Sequence, residues 1–190
     1  MIGVTEAVIE DNLMLSRVTG DEYSSGGYSA ASYYECAIRN GAGFNMIDYE
    51  SHRAIAHLFC VKYANRNPQT MSQFGSGYGS LNKIIGTTAI LGNNDGKTST
   101  QISFLGIEDF YGGKLEHMSG IHCNGHTQYI YDGFYPNNVP STEYRTVYLG
   151  GGSALSGFIT KLYHGENADI LPTKVGGSAS THYGDYVISV

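Results

Sequence analysis

Several features that identify common protein classes are scarce in this sequence. The 190 residues include 11 lysines and arginines against 17 aspartates and glutamates, which gives a net charge of −6. A chain with so few cations has no basic face that could release counterions from a phosphate backbone, which excludes nucleic acid as a partner. Charged residues make up only 15% of the chain, and the excess of Ala, Glu, Lys and Leu that builds long helices is missing. A helix bundle or a coiled coil is therefore excluded.

Long hydrophobic runs and cysteine pairs are also missing. No apolar stretch approaches the ~18–20 residues that span a bilayer, so we expect no membrane insertion. Residues 1–6 have neither a cationic nor an apolar region, so they predict no secretion signal. Cys36, Cys60 and Cys123 are scattered, without the C-x-x-C spacing of a zinc or redox site. Free, buried thiols made in a reducing cytosol are the simplest interpretation.

Glycine and tyrosine, in contrast, are abundant. Glycine accounts for 26 of the 190 residues and tyrosine for 16. This glycine content is about twice the usual ~7%. The hydrophobic fraction of 41% argues against disorder. Because chains divide into several domains mainly beyond ~250 residues, we expect one domain over residues 1–190. It should be rich in loops and tyrosines.

Hydrophobic spacing predicts two early helices. Apolar residues at i, i+3, i+4, i+7 and i+8 predict a helix over residues 29–40, which Gly41 ends. Asp48 is suited to cap a second helix over residues 49–64, which stops before Pro68 because the residue preceding a proline avoids the α conformation. One arc of roughly 140° collects the apolar residues of this second helix, namely Ile55, Leu58, Phe59 and Tyr63.

The rest of the chain predicts short strands and long loops. Residues 68–101 are rich in glycine, serine and asparagine, which indicates a long loop insertion within the domain. Strand-like runs separated by turn residues are found at residues 3–15, as one strand or a pair, and at 102–105, 129–131, 144–149, 157–163 and 186–190. This order of elements predicts an α+β fold.

Three segments, in this order, resemble one family. IDYESHRAIAHLF (residues 47–59) resembles the helix T-E-A-E-W-E-Y-A, FLGIEDFYGGKLEHMSG (104–120) resembles G-L-x-D-M-x-G-N-V-W-E-W, and RTVYLGGGS (145–153) resembles R-V-x-R-G-G-S. The family is the C-type-lectin-like fold in the version shared by formylglycine-generating (sulfatase-modifying) enzymes and by phage and bacterial surface-recognition proteins. The resemblance implies two early helices packed on short, twisted antiparallel sheets with long irregular loops.

The chain departs from this family in ways that bear on function. Leu115 and His117 stand where the family usually has two tryptophans, and the chain contains no tryptophan. The catalytic cysteine pair of the enzymes follows the G-G-S segment, whereas no cysteine follows Cys123 here. The resemblance therefore implies a protein without the redox activity, most similar to tail or receptor-binding proteins of phages that infect gut bacteria. It also implies a virion location.

A calcium site is a further possibility within such a fold. Calcium-dependent lectins use E-P-N or Q-P-D together with W-N-D, because Ca²⁺ prefers several oxygen ligands, and none of these tripeptides occurs here. Asn93, Asn94 and Asp95 offer oxygen atoms in a glycine-flanked loop, but Asn-Asp-Gly more often forms a turn. We therefore expect no cofactor.

Histidines and carboxylates give only weak signals for other chemistry. His122, Cys123 and His126 could bind zinc if they lay on a helix, but the Asn-Gly pair between them disfavours one. His52 and His57 lie about 140° apart around the second helix, so they cannot bind one ion, and we expect one buried and one surface histidine. The carboxylates of segment 104–120 could serve glycoside hydrolysis, but we favour a structural role for them: Glu108, Asp109 and Glu116.

Tyrosine, serine, glycine and asparagine together are typical of recognition loops. Tyr offers a flat apolar ring with a polar end and loses little conformational freedom on binding. The candidate ligand-binding residues are Tyr129, Tyr131, Asp132, Tyr135, Asn137, Asn138, Tyr163, His164 and His182. The alternative is that many tyrosines replace tryptophan in the core and contact no ligand.

These observations favour a non-enzymatic module that recognises a glycan or a protein on a host cell surface. Single sugar sites are weak, and repeating them raises avidity by roughly 10²–10⁴. We therefore expect a homo-oligomer, and a trimer is the common arrangement at a fibre tip. Two alternatives stay open, which are a structural virion protein without receptor contact and an oxidoreductase of the formylglycine-generating type.

Overall fold

The computed structural model describes residues 7–16, 28–66, 103–108, 110, 117–124, 127–131, 143–148, 156–178 and 186–188. These residues form two helices and ten short strands, and the strands pair in antiparallel fashion. The α+β class is therefore confirmed. The chain divides into two compact units, Met1–Met46 with Met71–His117, and Ile47–Thr70 with Met118–Val190. One domain over residues 1–190, with its insertion at 68–101, stays a prediction.

The first unit begins with a hairpin. Strands β1 (Ala7–Glu10) and β2 (Leu13–Ser16) pair in antiparallel register. Asp11 and Asn12 connect them with positive φ angles of 50° and 61°, the conformation that a two-residue turn of the favoured hand requires and that Asp and Asn tolerate. The predicted pair of strands within residues 3–15 is thus confirmed.

Helix α1 spans Ala30–Ile38, as predicted. It begins after Ser29, whose hydroxyl accepts a hydrogen bond from a backbone amide of the first turn at 3.2 Å. At the other end, the side-chain amide of Asn40 donates to the carbonyl oxygen of Met14 at 2.8 Å, which joins the helix to β2. One apolar cluster among the described residues of this unit consists of Tyr34, Ala37 and Met46, with Met14 and Tyr33 packed against them.

A second small hairpin belongs to the same unit. Strands β3 (Ser103–Phe104) and β4 (Ile107–Glu108) are two residues long each, and β4 was not predicted. Phe104 is fully buried, and its ring lies 6.3 Å from that of Phe110, centroid to centroid. This hairpin is the described start of the segment 104–120.

Helix α2 spans Tyr49–Tyr63 in the second unit and begins at the predicted cap. The Asp48 carboxylate accepts from the backbone N–H of Ser51 at 2.8 Å and from its hydroxyl at 2.9 Å. The helix ends because Ala64 takes the left-handed conformation with φ of 49°, before the residues that Pro68 restricts. Leu58 belongs to the apolar arc of this helix, but its side chain is 51% exposed.

The second unit also contains a three-stranded sheet in the order β5-β6-β7. Its strands are β5 (Ile121–Asn124), β6 (Thr127–Ile130) and β7 (Arg145–Tyr148). The runs predicted at 129–131 and 144–149 overlap β6 and β7, whereas β5 was missed. Its sequence, Ile-His-Cys-Asn, contains only one residue with a marked preference for strands.

Another three-stranded sheet has the order β10-β8-β9. Its strands are β8 (Ser156–Tyr163), β9 (Leu171–Val175) and β10 (Tyr186–Ile188). The sequence predicted β8 and β10 but not β9, because Pro172 argues against a strand. Proline is tolerated here because β9 lies at the edge of the described sheet. No described helix is long and apolar enough to cross a membrane.

Candidate functional site

The sheet β5-β6-β7 has a buried face and an outward face. Side chains alternate in burial along all three strands, as the two-residue period of a strand requires. We define the outward face by its exposed and half-exposed side chains, which are His122, Asn124, Thr127, Tyr129, Thr146 and Tyr148.

Strand register places these side chains in two rows across the sheet. His122 lies opposite Tyr129, which lies opposite Thr146. The His122 and Tyr129 rings are 6.2 Å apart, centroid to centroid. Tyr148 occupies the next row and is diagonal to Tyr129, a relation that corresponds to ~7–8 Å. Its side chain is 72% exposed. The three rings therefore form a bent line across three adjacent strands, with His122 and Tyr129 in one row and Tyr148 in the next, and we call it the aromatic line.

The buried face fixes this orientation. Ile130 and Val147 pack with Tyr49 of α2 and Leu171 of β9, and Ile121 packs against this cluster. A slip of one residue would exchange the two faces of a strand and expose its apolar side chains. Burial of the opposite face thus determines that Tyr129 and Tyr148 point outward.

A buried ion pair joins β7 to the turn between β8 and β9. The Arg145 guanidinium donates to both carboxylate oxygens of Asp169, at 2.9 and 3.0 Å. Arg53 contacts the same carboxylate at 3.4 Å, and the Tyr49 hydroxyl donates to it at 3.3 Å. Asp169 is 1% exposed, so these hydrogen bonds replace the hydration that the carboxylate loses on burial.

Helix α2 holds the same turn through backbone contacts. The Tyr49 hydroxyl accepts from the N–H of Ile170 at 3.2 Å, and burial raises the pKa of this hydroxyl. His57 Nε2 donates to the carbonyl oxygen of Ala168 at 3.0 Å, and Arg53 donates to that of Asn167. We interpret this cluster as structural, because its polar groups bind one another and hold the β8–β9 turn.

The structure separates the predicted ligand-binding residues into two regions. Tyr129 lies on the outward face. Tyr131 follows β6, with its ring 5.6 Å from that of the buried Tyr144. Tyr163 ends β8 with 40% of its surface exposed, and the exposed His164 begins the turn held by α2. The other predicted residues lie outside the described residues, namely Asp132, Tyr135, Asn137, Asn138, His182 and the calcium candidates Asn93, Asn94 and Asp95.

The chain matches no protein-family model, no curated protein and no solved structure at a significant level. The lectin-like fold therefore stays a prediction based on the three sequence segments.

Zinc binding by the set His122, Cys123 and His126 is disfavoured by β5, which contains the first two, whereas His126 lies outside the described residues. His122 and Cys123 are neighbours on β5, so their side chains point to opposite faces. Cys123 instead accepts a hydrogen bond from the Gln128 side chain at 2.8 Å. In the part of the chain that the structure describes, no group of three His, Cys, Asp or Glu residues is placed to hold a metal ion.

Two aromatic residues of the outward face were missed as binding residues. His122 was considered only as a metal ligand, and Tyr148 was not considered. Alternation within the predicted strand at 144–149 would have placed Thr146 and Tyr148 on one face. No local signal indicated that β5 would bring His122 beside Tyr129.

Both His52 and His57 are half-buried, which differs from the expected contrast of one buried and one surface histidine. Burial lowers the pKa of His52 from 6.5 to about 4. Between pH 4 and pH 6.5, His52 is protonated in the unfolded chain but neutral in the folded protein. The contribution of the neutral His52 to the free energy of unfolding is therefore complete above pH 6.5 and is lost as the pH falls to 4, by about 3 kcal/mol at most.

We expect His52→Gln to remove this part of the pH dependence. Urea unfolding of the wild type and the variant between the two pKa values would measure it. Leu58→Ala, which removes an exposed, non-titrating side chain from the same helix, is the control and should retain the wild-type slope. Equal slopes for wild type and His52→Gln would contradict the assignment.

Proposed function

We propose that this protein is a non-enzymatic recognition module that binds a host cell-surface glycan or protein through the outward face. We further propose that it has a C-type-lectin-like fold and belongs to a phage tail or another virion appendage. The observation that supports binding most directly is the alignment of His122, Tyr129 and Tyr148 on one side of a sheet whose other side is buried.

The chemistry of the outward face suits recognition. Tyrosine rings stack on the C–H faces of a ligand, and their hydroxyl groups reach polar neighbours. Asn124, Thr127 and Thr146 surround the rings with amide and hydroxyl groups, which both donate and accept hydrogen bonds. Because the strands hold the backbone in place, the face needs little ordering on binding.

The described polar groups also favour binding over catalysis. The Asp169 carboxylate is engaged by two guanidinium groups and a tyrosine hydroxyl. Cys123 lies on the buried side of β5, away from the aromatic line. The proposed mechanism therefore uses stacking and hydrogen bonds and requires no acid, base or nucleophile.

Avidity supports an oligomeric form of such a module. A site made of a few side chains on one sheet binds weakly by itself. Copies displayed together convert later contacts into intramolecular events, which raises avidity by roughly 10²–10⁴. We propose a homo-oligomer, with a trimer as the arrangement suited to a fibre tip.

Fluorescently labelled protein and a panel of gut-bacterial cells provide the test. We expect the double variant Tyr129→Ala/Tyr148→Ala to bind the cells that the wild type labels with an affinity lower by roughly tenfold or more. A tenfold loss of affinity corresponds to only about 1.4 kcal/mol of binding free energy. Tyr28→Ala is the matched control, since Tyr28 is a 39% exposed tyrosine on another part of the chain.

Flow cytometry would give the half-saturating concentrations, and thermal unfolding would verify that each variant is folded. Unchanged cell binding by the folded double variant would refute the outward face as the binding site. The structural virion alternative would be favoured by two results together. The wild type would label no cell, and the double variant would lose the oligomeric state that the wild type has.

A further inference from the structure

We infer that the ligand of the outward face is an uncharged glycan of at least two linked sugars. This inference rests on the proposed function and specifies its ligand. It follows from the charge, the length and the area of the outward face, each of which excludes a different class of ligand.

Charge is the first of these properties. None of the six outward side chains is a carboxylate, an ammonium or a guanidinium group. The Arg145 side chain on β7 belongs to the opposite face, where it binds Asp169. A sulfate or a uronate would lose its hydration here without gaining a cation, which is costly. The net charge of −6 opposes anions further.

Positive ligands lack a partner for the same reason. An amino sugar or a lysine side chain would need a carboxylate on the face, and the outward face has none. The hydroxyl and amide groups that surround the rings match the uncharged hydroxyl groups of a sugar. Charge complementarity therefore favours a neutral ligand.

The length of the aromatic line sets a minimum size. His122 and Tyr148 lie on the outer two strands of the sheet, and adjacent strands are ~4.8 Å apart, so the line is on the order of 10 Å long. A single sugar ring is shorter than this. A ligand that contacts both ends at once must have at least two linked rings.

The area of the outward face argues against a protein ligand. Three strands of four residues each cover on the order of 200 Å² at ordinary strand spacing and rise. A stable protein interface uses roughly 20–30 residues per partner, whereas the outward face has the six side chains defined above. The outward face also lacks aliphatic side chains, which a protein interface core usually contains. A glycan suits this area better.

A glycan array with wild-type protein, Tyr129→Ala, Tyr148→Ala and Tyr28→Ala would test the inference. The array should contain matched neutral, sulfated, uronate-bearing and amino-sugar glycans, each as single sugars and as longer chains. We expect wild-type binding to be at least tenfold stronger for neutral chains of two or more sugars than for the other classes. Tyr129→Ala and Tyr148→Ala should each lose it, and Tyr28→Ala should retain it.

Salt provides a second readout. Binding to an uncharged ligand should change less than about threefold between roughly 0.05 and 0.5 M NaCl, whereas an ionic contact at the surface is screened over this range.

The outcomes separate this inference from the proposed function. Tyrosine-dependent binding that is strongest for acidic or amino glycans would overturn the ligand class and leave the recognition face intact. Cell binding that depends on the tyrosines, without binding to any neutral glycan, would also overturn the ligand class and leave the recognition face intact. It would indicate a protein receptor. Neutral-glycan binding that survives in both folded tyrosine variants would overturn the inference and the proposed site together.

Discussion

Replacement of Asp169 by asparagine should lower the free energy of unfolding by about 3 kcal/mol, since removing one charge of a buried ion pair is strongly destabilising. The variant would remove the negative charge that accepts two hydrogen bonds from Arg145, at 2.9 and 3.0 Å. The Arg145 side chain is 26% exposed and Asp169 only 1%, so water could restore just part of this loss. Urea unfolding of wild type and variant at neutral pH would measure the difference.

The exposed ion pair on α1 supplies the control. Glu35 and Arg39 approach to 3.8 Å with side chains that are 64% and 54% exposed, and such pairs contribute roughly 0–1 kcal/mol. Glu35→Gln should therefore change stability little. Equal losses in the two variants would show that burial does not set the strength of the Asp169 contacts.

Truncation of Phe59 to alanine is expected to cost about 3–5 kcal/mol, because it removes a large buried ring and leaves a cavity. Phe59 is fully buried, and its ring lies 4.9 Å from that of Tyr63, centroid to centroid. Thermal or urea unfolding would report the loss.

The adjacent residue is a matched control for Phe59. Leu58 is 51% exposed, and substitutions at such surface positions usually stay within about 0.5 kcal/mol. Leu58→Ala should therefore be nearly neutral. A large loss for Leu58→Ala together with a small loss for Phe59→Ala would contradict the orientation of α2.

The helices could be predicted because their determinants are local. Asp48 caps α2 through contacts to Ser51, and the first apolar pattern indicated α1 within two residues of its ends. Strands depend on partners far along the chain, so β5 and β9 gave no comparable signal. The exposure of Leu58 likewise depends on which neighbours cover the helix, which periodicity does not determine.

The candidate site could be predicted only in part for the same reason. Tyr129 was proposed from composition, and the structure places it on the outward face. His122 and Tyr148 acquire their positions only when three strands pair. The Asp169 contacts join residues 24 and 116 positions apart, and no local sequence pattern connects them.

Pro172 limits how copies of this protein can join. It lies on β9, at the edge of the described sheet β10-β8-β9, and a proline nitrogen has no hydrogen to offer to a neighbouring backbone. An incoming strand would meet an interrupted ladder there, a common protection against aggregation through sheet edges. Self-assembly of the proposed kind should therefore use side-chain contacts elsewhere, rather than a sheet that continues from one molecule into the next past β9.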